Sequence, residues 1–190
     1  MKLIYFLVAL APTLVSSAYA QAPMSMPKTA LMDTANHSGG WVGKTASSFA
    51  LPDTTGKTTD IGHVIGTRPV VLIFYRGVWC PYCRSQMTDI GRHRAEFLQS
   101  GAAVYAISNE DAPPLLEMQK RAGLDFVTFL SDKTGTAAKL YAGLYPHSLV
   151  HQPGSFVIDK TGRIVYAYVN QDFRSRAATI ALLQAVQKSR

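Results

Sequence analysis

Residues 70–83 read VVLIFYRGVWCPYC and lead from a run of apolar residues to a pair of cysteines. The run from Val70 to Tyr75 is rich in β-branched side chains, which predicts a short buried strand. Pro81 follows the first cysteine and suits the first position of a helix, where the backbone needs no N–H group. The stretch therefore predicts a strand that passes directly into a helix, with Cys80 and Cys83 at the junction.

Strands and helices alternate along the rest of the chain. Apolar residues at helical spacing predict that the helix runs from about Pro81 to Gln99 and ends near Gly101. Further strands are predicted at Ala103–Ser108, Phe126–Leu130, Phe156–Ile158 and Ile164–Val169. Further helices are predicted to begin at Pro113 and Pro114 and stop at Gly123, to occupy Thr136–Tyr141, and to begin with Ser175 as a cap.

This order predicts an α/β fold in which helices flank a central mixed sheet. A strand–helix–strand crossover implies parallel pairing. The segment Asp159-Lys160-Thr161-Gly162 predicts a tight turn between the last two strands, which adds antiparallel pairing. The chain has 190 residues, of which 47% are hydrophobic, and this suits a single folded domain at 41–190.

The N-terminus has the pattern of an export signal. Lys2 precedes an apolar stretch, and Ala18-Tyr19-Ala20 supplies small residues at a cleavage position. We therefore expect a signal peptide at residues 1–20, cleaved after Ala20, and a periplasmic or secreted protein. A retained membrane anchor is the alternative, although no stretch reaches the roughly 20 apolar residues of a membrane span. Residues 21–40 lack periodicity and predict a flexible segment.

Composition and charge exclude several classes of protein. Two cysteines are too few for a disulfide-rich mini-protein or for a four-cysteine zinc or iron–sulfur site. The net charge of +7 is spread over interspersed acids and bases, and the basic spot Arg92-His93-Arg94 lacks interleaved aromatic residues. We expect no nucleic-acid partner, no membrane insertion of the mature chain and no cofactor.

The cysteine pair carries the chemistry. A C-x-x-C spacing brings two thiols close enough to form and break a disulfide repeatedly. At a helix N-terminus, unpaired N–H groups and the helix dipole lower the pKa of a thiol and make it a nucleophile. Arg76 and Arg84 flank the pair and would favour a thiolate further. The pattern predicts a redox-active dithiol at Cys80 and Cys83.

Three other interpretations of the pair remain open. A static disulfide would close so small a ring that it would stabilise the fold only weakly. A metal site would need His147 and His151, which lie far beyond the spacing of a zinc finger. A redox-inert binding module could also keep the fold, because a fold does not fix a function.

Residues 74–83 resemble the active-site segment of the thioredoxin-like superfamily. The segment Phe49-Ala50-Leu51-Pro52-Asp53 resembles the opening of its redoxin branch, the AhpC/TSA (peroxiredoxin-like) family, and residues 153–159 resemble the strand that follows a cis-proline. The resemblance covers Trp41 to Lys188. It implies a thioredoxin-like domain, a redox disulfide between Cys80 and Cys83, and a cis Gln152–Pro153 bond beside it. His151 would then lie near the disulfide, and Trp79, Tyr82 and Pro153 would shape a docking surface.

The same resemblance bears on the reaction. A peroxiredoxin carries a Thr three residues and a Pro seven residues before its peroxide-reactive cysteine, but counted from Cys83 these places hold Cys80 and Arg76. The family arginine that helps to bind peroxide is replaced by Pro153. We therefore predict a thiol–disulfide oxidoreductase in which an exposed Cys80 thiolate attacks and Cys83 resolves. Its partners would be protein thiols or disulfides and an unidentified electron donor.

A peroxiredoxin-like thiol peroxidase is the alternative. It would reduce hydrogen peroxide or organic hydroperoxides at Cys83, and Cys80 would resolve the sulfenic acid. The sequence offers no clear set of donors that would orient a peroxide, and only Arg76 or Arg84 would be available to stabilise the leaving oxygen. Phe74 stands where many thioredoxins carry a buried aspartate, so deprotonation of the second thiol would lack that base.

Overall fold

The computed structural model describes residues 40–189, so the predicted signal peptide and nearly all of the predicted flexible segment lie outside the described residues. The strands in this range are β1 Ala50–Pro52, β2 Thr58–Asp60, β3 Val70–Phe74, β4 Ala103–Ser108, β5 Val127–Ser131, β6 Gly154–Ile158 and β7 Ile164–Val169. The α-helices are α1 Pro81–Arg92, α2 Arg94–Ser100, α3 Ala112–Ala122, α4 Thr136–Leu140 and α5 Thr179–Lys188, and one 3-10 turn occupies Ile61–His63.

Five strands form the central mixed sheet, in the order β5-β4-β3-β6-β7. The pairs β3–β4 and β4–β5 are parallel, whereas β3–β6 and β6–β7 are antiparallel. The turn before β7 is closed by Gly162 in a left-handed conformation with φ of 83°. The predicted mixed α/β sheet is therefore confirmed. Among the described residues no helix is both long and apolar enough to cross a membrane.

The sheet separates two apolar layers. Successive side chains of a strand point to opposite faces, so Ile73 and Tyr75 pack with both cysteines, while Leu72 and Phe74 pack on the other side. All five residues of β3 are buried because the strand is central and covered on both faces. The site helix α1 therefore packs against a strand that is buried along its whole length.

Three elements differ from the sequence predictions. The first helix is not continuous, because His93 leaves the helical conformation and separates α1 from α2. Ser175 does not cap the last helix: Ala178 precedes α5 in an extended conformation, and no side chain caps it. The hairpin of β1 and β2 is not predicted at all, because its three-residue strands are too short for a periodic pattern.

Gly91 allows α1 to approach α3 closely. A methyl group at this position would overlap the carbonyl oxygen of Ala122, which is backbone and cannot rotate away. We expect Gly91→Ala to lower the free energy of unfolding by about 1–3 kcal/mol, although alanine normally favours a helix. Urea denaturation measures this loss. The neighbouring exposed change Arg92→Ala serves as control, and equal stabilities of the two variants would contradict the close contact.

Candidate active site

The two cysteines lie at the start of α1, as the sequence predicts. Cys80 is the N-cap residue, with extended backbone angles, and Pro81 occupies the first turn, where its missing N–H group costs no hydrogen bond. Cys83 lies within the first turn and is buried against the sheet. The loop that leads to Cys80 requires glycine at position 77, because a side chain on Gly77 would overlap the Trp79 indole and the Glu110 carboxylate.

A single arginine reaches both sulfur atoms. Nη2 of Arg176 lies 3.2 Å from Sγ of Cys83 and 3.8 Å from Sγ of Cys80. Arg76 adds a longer contact, with Nη1 4.0 Å from Sγ of Cys80. Arg176 is absent from the sequence prediction because it lies on the segment between β7 and α5, far along the chain from the cysteines. Nothing in its neighbouring residues distinguishes it from a surface arginine.

The surroundings of the two thiols shift their pKa values in opposite directions. Burial alone raises the pKa of Cys80, but hydrogen bonds from the backbone and thiol of Cys83 oppose it. Together with the positive charges of Arg176 and Arg76, they hold the pKa of Cys80 below its ordinary value. Burial outweighs the same arginine at Cys83, so the pKa of that thiol is raised. Cys80 is therefore the thiol that ionises first.

Both cysteines are completely buried, which corrects the prediction of an exposed thiolate. The guanidinium group of Arg76 lies against the rings of Trp79, Tyr145 and Phe173, at 4.7, 5.3 and 4.6 Å from their centroids. These cation–π contacts hold Arg76 among the aromatic side chains beside Cys80. A reaction partner must therefore be small, or this cover must move.

The loop before Cys80 is fixed by side chains from both directions. Nη1 of Arg84 donates to the carbonyl oxygens of Val78, at 2.9 Å, and Trp79, at 3.1 Å. The sequence predicts that Arg84 favours a thiolate, but its guanidinium group is directed to these backbone oxygens. From the other side, both carboxylate oxygens of Glu110 accept from the Val78 N–H at 3.0 Å.

Glu110 is the acid nearest to this loop, and it was not predicted. Burial raises its pKa, and the hydrogen bonds from Val78 and Ser108 offset burial only in part. Glu110 follows β4, the strand beside β3. Phe74, which stands where many thioredoxins carry a buried aspartate, lies on β3 itself. Phe74 itself packs on the opposite face of the sheet.

The raised pKa of Glu110 has a consequence for stability. Because the folded state binds this proton more tightly than the unfolded state, the contribution of Glu110 is complete below about pH 4.5, its ordinary pKa. It is lost as pH rises through the folded-state pKa. We expect Glu110→Gln, which keeps an acceptor for Val78, to gain stability relative to the parent between pH 4 and 7. Denaturation at several pH values measures this. Glu96→Gln on the exposed face of α2 is the control, and parallel curves for the parent and Glu110→Gln would contradict the assignment.

The predicted cis bond is wrong, because no peptide bond among residues 40–189 is cis. The Gln152 N–H donates to the carbonyl oxygen of Gly143, and its side-chain amide donates to Leu144. These hydrogen bonds hold Gln152 in a position from which a trans Gln152–Pro153 peptide leads into β6. Pro153 is buried there, so it cannot shape an exposed docking surface.

His151 belongs to the opposite layer of the fold. Its Nε2 lies 3.3 Å from Oδ2 of Asp132, its Nδ1 lies 3.3 Å from the carbonyl oxygen of Ile107, and all of its side chain is buried. Burial raises the pKa of Asp132, but the contacts with His151 and the Ala138 N–H outweigh it and lower the pKa. The expected position of His151 beside the cysteines is therefore not observed. Its contacts are those of a structural residue.

The other predicted site residues surround the cysteines at the surface. Trp79 and Tyr82 expose 52% and 39% of their area, which is unusual for large rings, and Pro81 is also exposed. Phe173 contacts both the Tyr82 ring and Arg76. A docking role for these rings remains a prediction. Within residues 40–189, no group of three or more His, Cys, Asp or Glu side chains could hold a metal ion.

The fold and the site define a class of protein: a thioredoxin-like α/β domain with a dithiol at the start of the helix after its central strand. The sequence profile of the AhpC/TSA family matches residues 42–167. The chain belongs to this family.

Individual relatives carry the names of two kinds of protein. Peroxiredoxin Q of Oryza sativa subsp. japonica is 34% identical over 131 residues, which are 68% of this chain and 59% of that protein. The chain thus spans less than two thirds of the length of that relative. Peroxidoxin BcpB from Mycobacterium tuberculosis superimposes with a TM-score of 0.67 at 25% identity, over 78% of this chain and 97% of that one. Thiol-disulfide oxidoreductase ResA of Bacillus cereus is 25% identical over 136 residues, 71% of this chain and 73% of that protein.

Proposed function

We propose that this chain is a thiol oxidoreductase that cycles Cys80 and Cys83 between a dithiol and a disulfide. The observation that carries the proposal is the contact of one guanidinium group, that of Arg176, with both sulfur atoms. A positive charge in this place stabilises whichever sulfur is a thiolate, both when the dithiol attacks an oxidant and when the disulfide is reduced again. The names of the relatives, which include peroxiredoxins and a thiol-disulfide oxidoreductase, support the same class of reaction.

In thiol–disulfide exchange, the Cys80 thiolate attacks one sulfur of a partner disulfide, and the other partner sulfur leaves as a thiolate that takes up a proton. Cys83 then loses its proton and attacks Sγ of Cys80. The Cys80–Cys83 disulfide forms, and the second partner thiol is released. The partner gains two electrons and two protons, and the protein dithiol is oxidised. The lowered pKa of Cys80 and the raised pKa of Cys83 suit this order.

Peroxide reduction is the second candidate, and the burial of the site favours it. Sγ of Cys80 has no exposed surface, so a small oxidant reaches it more easily than a folded protein does. The resemblance implies attack by Cys83, but the lowered pKa of Cys80 and the raised pKa of Cys83 favour Cys80 as the attacking thiolate. Its attack on a peroxide oxygen would break the O–O bond, and the leaving hydroxide or alkoxide would take up a proton. Arg76 and Arg176 would stabilise the charge that develops on this oxygen. The sulfenic acid would condense with Cys83 to give the disulfide and water.

Stopped-flow fluorescence distinguishes the two reactions. The reduced full chain is mixed with hydrogen peroxide or with bis(2-hydroxyethyl) disulfide, and Trp79, beside Cys80, reports the change; Trp41→Phe removes the other indole. We expect both oxidants to produce the Cys80–Cys83 disulfide. Oxidation by peroxide far faster than that of a free thiol of the same pKa would assign a peroxidase, whereas a rate like that of a free thiol would assign disulfide exchange. Failure of both oxidants to form the disulfide would contradict the proposal.

We further propose that the mature chain acts outside the cytoplasm, after removal of residues 1–20. The support is the charged start, apolar stretch and Ala18-Tyr19-Ala20 pattern of the sequence. Expression with and without residues 1–20, followed by fractionation of the cells, tests this.

A further inference from the structure

A cavity of about 310 Å³ opens between α1 and the start of α5. The lining residues that matter here are Tyr82, Gln86, Asp89, Arg92, Arg174 and Arg176. Arg176 is shared with the active site, since it lies in the wall of the cavity and also contacts both sulfur atoms. The cavity therefore adjoins the dithiol and has the volume of a small-molecule site.

The lining of the cavity carries more positive than negative side chains. Three guanidinium groups line it, and Asp89 is the only acid among its lining residues. Arg174 shares its charge with Asp172, at 3.0 Å, which still leaves an excess of positive charge. Guanidinium groups bind carboxylates with two parallel hydrogen bonds. The start of α5, which has no side-chain cap, adds the positive end of a helix dipole at the same wall.

The cavity also offers acceptors for N–H groups. Gln86 is only 7% exposed, yet its Oε1 has no hydrogen-bond partner within the part of the chain that the structure describes. The carboxylate of Asp89 lies one helical turn further along α1 and lines the same space. A buried acceptor without a partner is costly, so a ligand that donates N–H groups here would stabilise the site.

We propose that this cavity binds a small peptide-like thiol, with carboxylates on the arginines and an amide or ammonium group at Gln86 and Asp89, and that this thiol reduces the Cys80–Cys83 disulfide. The proposal rests on the redox cycle proposed above and names the class of its electron donor. The complete burial of both cysteines favours a donor of this size over a folded protein.

The electrons balance over two thiols. The thiolate of the first donor attacks Sγ of Cys80, the Cys80–Cys83 bond breaks, and Cys83 leaves as a thiolate beside Arg176 and takes up a proton. A second donor thiolate attacks the sulfur of the first, which releases Cys80 as a thiolate and forms the donor disulfide. Two donor thiols are oxidised and one protein disulfide is reduced.

The test compares small thiols as reductants of the oxidised full chain. The probes are reduced glutathione, its diethyl ester, which lacks free carboxylates, and neutral 2-mercaptoethanol, with each rate expressed per thiolate. We expect glutathione to show saturation and to exceed both other thiols by roughly tenfold or more, because it alone can pair with the arginines. Added salt should reduce this advantage.

Arginine variants locate the effect. The ratio of the glutathione rate to the 2-mercaptoethanol rate should fall by roughly tenfold in the double variant Arg92→Ala, Arg174→Ala. It should stay at the parental value in Arg94→Ala, because Arg94 pairs with Asp125 away from the cavity. Equal rates per thiolate for all three probes, or a ratio that the double variant leaves unchanged, would overturn this inference alone. If no thiol reduces the disulfide, the proposed redox cycle fails, and the inference fails with it.

Discussion

Replacing Cys83 with serine should leave a protein that reacts once with a small disulfide and then remains covalently joined to it through Cys80. The lowered pKa of Cys80 keeps this sulfur nucleophilic, but no second thiol is left to release the adduct. Cys80→Ser should lower the rate of the first step by about 10³-fold or more, because a serine hydroxyl is not ionised near neutral pH. Quenched reactions followed by intact-mass measurement report both results.

The two serine variants control for each other. Both remove one buried sulfur of the same helix turn, so a loss of activity through unfolding alone would affect both similarly. An adduct that accumulates on Cys83 in Cys80→Ser, with none on Cys80 in Cys83→Ser, would reverse the assigned roles. That result would favour the peroxiredoxin-like order, in which Cys83 reacts first.

Replacing Arg176 with alanine should raise the pKa of Cys80 towards that of an ordinary thiol and lower its reactivity at pH 7 by about tenfold. The guanidinium group contacts both sulfur atoms, so its removal leaves the buried thiolate with the more distant charge of Arg76. In the variant, the pH–rate profile of Cys80 alkylation should shift to higher pH. At a pH where Cys80 is ionised in both the parent and the variant, the two proteins should react at similar rates.

Arg174→Ala is the matched control for this prediction. It removes the same type of side chain two residues away, where the guanidinium group pairs with Asp172. Its alkylation profile should coincide with that of the parent when iodoacetamide, a neutral reagent, is used. A profile for Arg176→Ala that also coincides with the parent would show that the contact does not stabilise the thiolate.

The junction of strand and helix could be predicted from the sequence because its determinants are local. The β-branched run, the proline after Cys80 and the cysteine spacing all lie within fourteen consecutive residues, 70–83. The same holds for the end of α3 at Gly123, where a left-handed glycine closes the helix. An element that its own residues determine keeps the predicted structure in the folded protein, because the neighbouring elements only have to pack around it.

The electrostatics of the site could not be predicted in this way. Arg176 and Glu110 reach the cysteine loop from segments far along the chain, and only the packing of the sheet brings them there. Only the resemblance implies a cis Gln152–Pro153 bond, and the hydrogen bonds of Gln152 in this chain accommodate a trans bond instead. The burial of Cys80 likewise depends on Arg76 and the rings around it.

Cys80, and not Cys83, is the proposed thiolate nucleophile. The most direct measurement is competitive alkylation of the reduced full chain with a limiting amount of iodoacetamide between pH 5 and 9, with peptide mass spectrometry to locate the label. We expect the label to appear first on Cys80, with an apparent pKa below that of an ordinary thiol, and on Cys83 only at higher pH. Labelling of Cys83 before Cys80 would contradict it.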